Sequence, residues 1–142
     1  MDARITFITL AVADIAASRR FYVDGLRWQP EFEAEGEVLF FRVAPAVTLS
    51  LWGRVAFEEE VGPVQTGPGA PPVTLSHNVP DRAGVDTVLA AAAAAGASVH
   101  MAREREWGGY SGYFEDPDGF RWEIAFNPGA IGTDLLRAAG II

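Results

Sequence analysis

Cysteine is absent from the 142 residues, which excludes disulfides, thiolate zinc sites and cysteine nucleophiles together. No apolar run approaches the roughly 18 residues of a membrane span. The most apolar stretch, around Ala90 to Ala95, is a short alanine tract. No basic and apolar leader precedes the first strand-like segment, so a cytoplasmic protein is expected. Basic side chains are scarce: 11 against 19 acidic ones leave a net charge of −8, with no basic patch to attract nucleic acid or anionic membranes. Such a field favours cationic ligands, and it also maintains solubility. Phosphate-loop, G-x-S-x-G and zinc motifs are missing; Gly67-Pro68-Gly69 is broken by proline and lacks a following lysine. Asp116-Pro117-Asp118-Gly119 lacks the remaining spaced ligands of a calcium loop. What is left is a chain 49% hydrophobic and 21% charged, long enough for a substantial core and expected to form one compact unit.

The densest information lies between Trp107 and Pro128, which reads as a β-hairpin. Gly108 to Glu115 and Phe120 to Phe126 are rich in aromatic and β-branched residues, and Asp116 to Gly119 is turn chemistry between them. Alternation in the second strand puts Phe120, Trp122, Ile124 and Phe126 on one face and Arg121, Glu123 and Ala125 on the other. The face of Glu123 must therefore be solvent or a cavity, because an ionised carboxylate is not buried without a partner.

Before the hairpin, a strand is expected over Arg4 to Ala13, followed by a helix from the N-cap Asp14 to about Leu26 that ends near Gly25. Its inward stripe is either Ser18, Tyr22 and Leu26 or Ala17 and Phe21. Strands are expected over Trp28 to Glu33, Val38 to Val43 and Val47 to Trp52, then a helical turn containing Phe57. Gly62 to Pro72 reads as a linker. A strand from Val73 to Val79 then leads to a helix capped by Asp81, with Val85, Val88, Leu89 and Ala92 inward and Gly96 at its end. Ala97 to Met101 is a short strand, Arg103 to Glu106 a charged connection, and Thr133 to Ala139 a short terminal helix. Each half thus reads strand, helix, strand, strand, strand, an internal repeat with a V-x-D before each helix. The division is residues 1–61, a linker at 62–72, residues 73–128 and a tail at 129–142.

With this repeat, the segments Ile8 to Asp14 leading into Ser18-Arg19-Arg20-Phe21-Tyr22, and Gly112 to Gly119 leading into Glu123, give the chain its family likeness. It resembles the vicinal oxygen chelate superfamily, which includes glyoxalase I, bleomycin resistance proteins and extradiol dioxygenases, over about residues 4–128. The resemblance implies an α+β fold of two βαβββ modules forming a cupped mixed sheet, with helices on the convex side, often completed across a homodimer. It also implies a cup lined by Phe7, Thr9, Ala11, Thr48, Ser50, Trp52, Thr74, Ser76, Asn78, Ser111, Tyr113, Arg121 and Glu123.

Metal-dependent members of that superfamily hold a divalent ion with histidines and glutamates on these strands. Here the first histidine position falls on Phe7, its counterpart in the second module on Thr74, and the first closing glutamate on Ser50 or Trp52. Only Glu123 matches a ligand position. No cofactor is therefore expected, and Glu123 with His77 would be the donors if a metal were present. Alternation assigns His77 to the apolar face as a hydrogen-bonded structural residue, with a place in the cup as the alternative. His100 reads as solvated. Glu123 either anchors a ligand or acts as a general base, or it pairs with Arg121 as a structural ion pair. Asn78 is a cup polar group or a helix cap. Trp107, Tyr110 and Tyr113 form an aromatic rim or hairpin core, and Trp28 and Trp52 carry the same two readings. The expected function is metal-independent binding of an aromatic or cationic small molecule in the cup. The alternative is a lyase or isomerase of the glyoxalase type using Glu123 as acid/base or metal ligand.

Overall fold

In the computed structural model, which describes residues 1–142, the chain parts into two compact units, Met1–Pro68 and Gly69–Ile142. Length alone suggested one unit; two arise because each repeat closes a sheet and a helix around its own apolar side chains. No helix is long and apolar enough to cross a membrane.

The first unit runs β1 (Phe7–Val12), α1 (Ile15–Arg19), a π-helical segment (Arg20–Gly25), β2 (Phe32–Ala34), β3 (Val38–Ala44), β4 (Val47–Gly53) and α2 (Arg54–Glu60). Its strand order is β1-β4-β3-β2, with β1 parallel to β4 and the others antiparallel. Alternation works as expected in β1, where Leu10 and Val12 are buried and Phe7 and Thr9 are exposed. Asp14 caps α1 by accepting from the Ala16 amide at 2.8 Å.

The helix expected from Asp14 to Leu26 changes pitch halfway. The Leu26 amide donates to the Phe21 carbonyl five residues back at 2.9 Å, and this wider turn points adjacent Phe21 and Tyr22 both inward. The two alternative stripes thus merge, with Ile15, Ser18, Phe21 and Tyr22 all buried. Arg27, not Gly25, takes the left-handed conformation at the exit, with φ 64°. Trp28 to Pro30 is not a strand: Trp28 turns back to pack on Tyr22 and Phe41, with ring centroids 5.3 and 5.4 Å apart. Core packing decides its ambiguity.

Residues 62–73 hold neither helix nor strand. The second unit contains β5 (Thr74–Asn78), α3 (Arg82–Ala94), β6 (Ser98–Glu104), β7 (Tyr110–Glu115), β8 (Arg121–Phe126) and α4 (Ala130–Ala138). Its strand order, β5-β8-β7-β6, repeats that of the first unit, again with one parallel pair at the edge. Asp81 caps α3 through the Gly84 amide at 2.7 Å, and α3 lays Val85, Leu89 and Ala92 onto a core with Phe114, Trp122 and Ile124. The hairpin turn is held by Asp116, whose carboxylate accepts from the amides of Asp118 and Phe120 at 3.0 and 2.9 Å, while Gly119 supplies φ 82°. Half of the charged connection expected at Arg103 to Glu106 is instead strand, since β6 extends through Glu104 and leaves Arg105 and Glu106 outside it.

Candidate active face of the second sheet

The register of the second sheet decides which polar side chains meet. Parallel pairing sets Thr74 beside Arg121, Ser76 beside Glu123 and Asn78 beside Ala125. Antiparallel pairing sets Tyr113 opposite Glu123 and Glu115 opposite Arg121. These residues share the face turned away from α3, the one expected to be polar.

Glu123 accepts hydrogen bonds from the Ser76 hydroxyl at 3.0 Å and the Tyr113 phenol at 3.1 Å. Both donors are uncharged, and no cation lies within ion-pairing distance of the carboxylate. Burial first, and the neighbouring Glu123 charge second, push the Tyr113 pKa above its ordinary value, so the phenol keeps its proton and remains a donor. The ion pair weighed between Glu123 and Arg121 does not form. Arg121 pairs with Glu115 at 3.1 Å, because Glu115 stands directly opposite it while Glu123 is two residues further along the strand.

His100 is exposed to solvent, as expected from the sequence, but it does not sit at a strand end. It lies in mid-strand opposite Tyr113, and its Nε2 donates to the same Glu115 carboxylate at 3.0 Å. The His100 hydrogen bond first, and then the charge of Arg121, hold the Glu115 carboxyl below its usual range.

Between His100 and Arg103 the β6–β7 register slips: three steps along β6 span two along β7, from Tyr113 to Ser111. This β-bulge at Met101–Ala102 resets the alternation, so Arg103 joins His100 on the polar face, whereas strict period two would set it opposite. Gly112 sits against the bulge, where a Cβ would lie 2.8 Å from both the Ala102 nitrogen and the His100 carbonyl oxygen. Arg105, just beyond the strand, donates through Nε to the Ser111 hydroxyl at 2.8 Å and through Nη2 to the Ser111 carbonyl at 2.9 Å. Its guanidinium lies 5.8 Å from the centre of the Tyr113 ring.

Together these side chains surround a pocket of about 560 Å³ lined by Ala70, Thr74, His100, Met101, Arg103, Arg105, Tyr113 and Arg121. The Nε of Arg121 is buried and has no hydrogen-bond partner within the chain.

The other expected site residues divide. Thr74, Tyr113, Arg121 and Glu123 lie on this face, and half-buried Asn78 shares it. Tyr110 does not: its hydroxyl donates to Asp86 on α3 at 3.0 Å, so it belongs to the helix side and not to an aromatic rim. Its parity differs from that of Tyr113, and a strand cannot present both on one face. Trp107 lies in the β6–β7 turn, 52% exposed, with its ring against Gly109. His77 is opposite in parity to Thr74 and Ser76, as expected, but Val73 beside it is exposed and His77 keeps contact with solvent. Enough protein still surrounds the ring for desolvation to lower its pKa. In the first unit, Phe7, Thr9 and Ser50 lie on one face by register; Phe7 packs edge-on against Phe40 at 5.6 Å, and Ser50 is buried. Trp52 is committed to Phe57, 5.9 Å away.

Sequence reasoning missed Glu115, Arg103 and Arg105. The signal available was the run Arg103-Glu104-Arg105-Glu106, whose charges alternate at strand period, but its phase depended on a bulge that alternation cannot register.

The donor set does not suit the divalent metal of metal-dependent relatives. Such an ion needs about three or more nitrogen or oxygen ligands converging on one point. Phe7 has no lone pair to give, the Glu123 carboxylate faces hydroxyls, and no group of three histidine, aspartate or glutamate side chains converges.

The family model of the Glyoxalase/Bleomycin resistance protein/Dioxygenase superfamily matches residues 4–124. A glyoxalase-related enzyme from Fulvimarina pelagi is 35% identical, over 90% of this chain and 94% of that one, with a TM-score of 0.79. A glyoxalase/bleomycin resistance protein/dioxygenase from Nocardioides is 24% identical over 91% of this chain and 87% of that one, with a TM-score of 0.74. A lactoylglutathione lyase from Agrobacterium tumefaciens, 21% identical over 89% of this chain and 96% of that one, shares the fold with a TM-score of 0.68. No curated protein matches. The repeated βαβββ module, the matching strand order of its two sheets and this family model lead to one conclusion: the chain belongs to the glyoxalase/bleomycin resistance protein/dioxygenase superfamily.

Proposed function

We propose that this protein binds a small molecule on the polar face of its second sheet, without a metal at the positions where metal-dependent relatives hold one. Glu123 is the anchor. The observation that carries the reading is its carboxylate, oriented by Ser76 and Tyr113 and lacking a cationic partner, so that an ammonium or hydroxyl of a ligand meets a preset acceptor. An acid/base enzyme would require a second titratable group beside Glu123 that exchanges protons near neutrality. The groups in reach are a hydroxyl and a phenol whose pKa is raised, which supports binding over lyase or isomerase chemistry.

The expected homodimer belongs to the same reading, motivated by Ile5, Phe7 and Phe32, apolar side chains more than half exposed. Light scattering tests it directly; a monomer at micromolar concentration would remove it.

Two measurements test the reading. Metal analysis of protein purified without chelator should show no stoichiometric divalent ion, and about one per chain would overturn the metal-free assignment. Glu123→Gln should weaken a ligand carrying an ammonium group by about 1 kcal/mol or more. Unchanged affinity would return Glu123 to a structural role.

A further inference from the structure

We propose that the arginine-lined pocket next to Glu123 holds the carboxylate of the ligand, which makes the ligand class a small organic acid with a hydrogen-bond donor or ammonium at its other end. This deepens the binding reading above and rests on it.

The chain carries a net charge of −8, yet three of its 11 basic side chains line one pocket, and no carboxylate is among the lining residues. Counting the adjacent Glu115 and Glu123 still leaves arginine in excess. Arg103 and Arg105 make no ion pair, unlike Arg19, Arg42 and Arg82, which are all matched with glutamates. Bringing like charges together costs free energy unless an anion offsets it.

The donors are also held in place. Ser111 occupies Nε and Nη2 of Arg105, which leaves Nη1 for a ligand, and Tyr113 backs the guanidinium plane. Glu115 fixes one arm of Arg121, whose buried Nε lacks an acceptor within the chain. Planar forks of N–H groups match the two oxygens of a carboxylate.

Strand geometry sets the length of the ligand. Arg121 and Glu123 lie two residues apart on one face of β8, about 7 Å at the usual strand rise. A molecule with its anion and its donor separated by one aromatic ring spans that interval, and its ring would lie along Tyr113, which pairs with Glu123.

The experiment is calorimetric titration of the full chain with 4-(aminomethyl)benzoate, its amide 4-(aminomethyl)benzamide, benzoate and inorganic phosphate. The acid should bind at least about tenfold tighter than the amide, and Arg103→Gln should remove about tenfold of acid affinity without changing the amide. Arg103 makes no ion pair within the chain, so this variant should keep the wild-type melting curve. Arg103→Lys should restore part of the loss. Equal binding of acid and amide, or acid binding indifferent to Arg103→Gln, overturns the carboxylate assignment. Phosphate binding more tightly than benzoate overturns it in favour of a phosphate. Glu123→Gln separates the two readings: it should weaken acid and amide alike, and should leave benzoate unchanged. If only the arginine effect is found, the Glu123 anchor fails and the anion site stands. If only the Glu123 effect is found, the reverse holds. Absence of saturable binding by all four probes at millimolar concentration removes both.

Discussion

Replacing Gly112 by alanine tests how tightly the second sheet is packed at its bulge. The added Cβ would lie 2.6 Å from Leu89 Cδ1 and 2.8 Å from both the Ala102 nitrogen and the His100 carbonyl oxygen. Leu89 is only 4% exposed and belongs to the core under α3, so it has little room to swing away. The other two atoms are main chain, and moving them means moving β6. Overpacking of this kind costs about 1–3 kcal/mol, and two backbone clashes put this site at the upper end, about 3 kcal/mol. Reduced freedom of the unfolded chain returns about 0.4–1 kcal/mol, for a net loss of about 2 kcal/mol. At the entropy of unfolding of a chain this size, that is a melting temperature lower by about 7 °C. Urea titration should show a lower midpoint with an unchanged slope. Gly67→Ala is the control, since nothing lies within 4 Å of its added Cβ; it should stay within about 0.5 kcal/mol of wild type. If Gly112→Ala also stays within that margin, the close contact of β6, β7 and α3 is wrong as described.

Asp116→Ala should destabilise by about 2 kcal/mol, because the amides of Asp118 and Phe120 lose their shared carboxylate acceptor; a denaturation midpoint equal to wild type would refute this. Burial lowers the His77 pKa below its ordinary 6.5, so the unfolded chain takes up that proton first. Stability from this source is complete above pH 6.5 and declines as pH falls below it; His77→Gln should flatten the decline, and an identical pH slope in the variant would contradict the placement of His77. Glu115 acts in a separate and more acidic window: its carboxyl is held below its ordinary 4.5, so its contribution is present above that pH and is lost as pH falls through the lowered value. Glu115→Gln should remove that lower step while leaving the upper one. Tyr110→Phe should leave probe affinity unchanged, since its hydroxyl faces Asp86 on the helix side; weakened binding would put Tyr110 in the pocket.

Much of this fold is legible because strand period, capping residues and turn chemistry are local signals. Asp14 and Asp81 announced their helices, and Asp116 to Gly119 announced its turn, by side chains that satisfy nearby amides whatever the tertiary context. Glu123 was legible for the same reason, as a lone carboxylate among large apolar residues of opposite parity. Trp28 was misread because its packing on Tyr22 and Phe41 depends on a widened helical turn and on the left-handed Arg27, neither of which has a sequence signature. The pocket was misread further. Two of its three arginines, Arg103 and Arg105, come from a stretch read as a connection, and its key pairing, Arg121 with Glu115, is a cross-strand choice that sequence proximity to Glu123 obscured.

The bulge at Met101–Ala102 makes the electrostatics of the pocket a matter of counting. Inserting one residue between the bulge and Arg103 would shift the alternation by one and turn Arg103 from the polar face toward α3, carrying Glu104 the opposite way without altering a single existing side chain. A pocket rich in guanidinium groups would gain a carboxylate on its β6 side. Insertions and deletions at this one place, more than substitutions, are therefore the economical route by which a protein of this architecture could exchange an acidic ligand for a basic one.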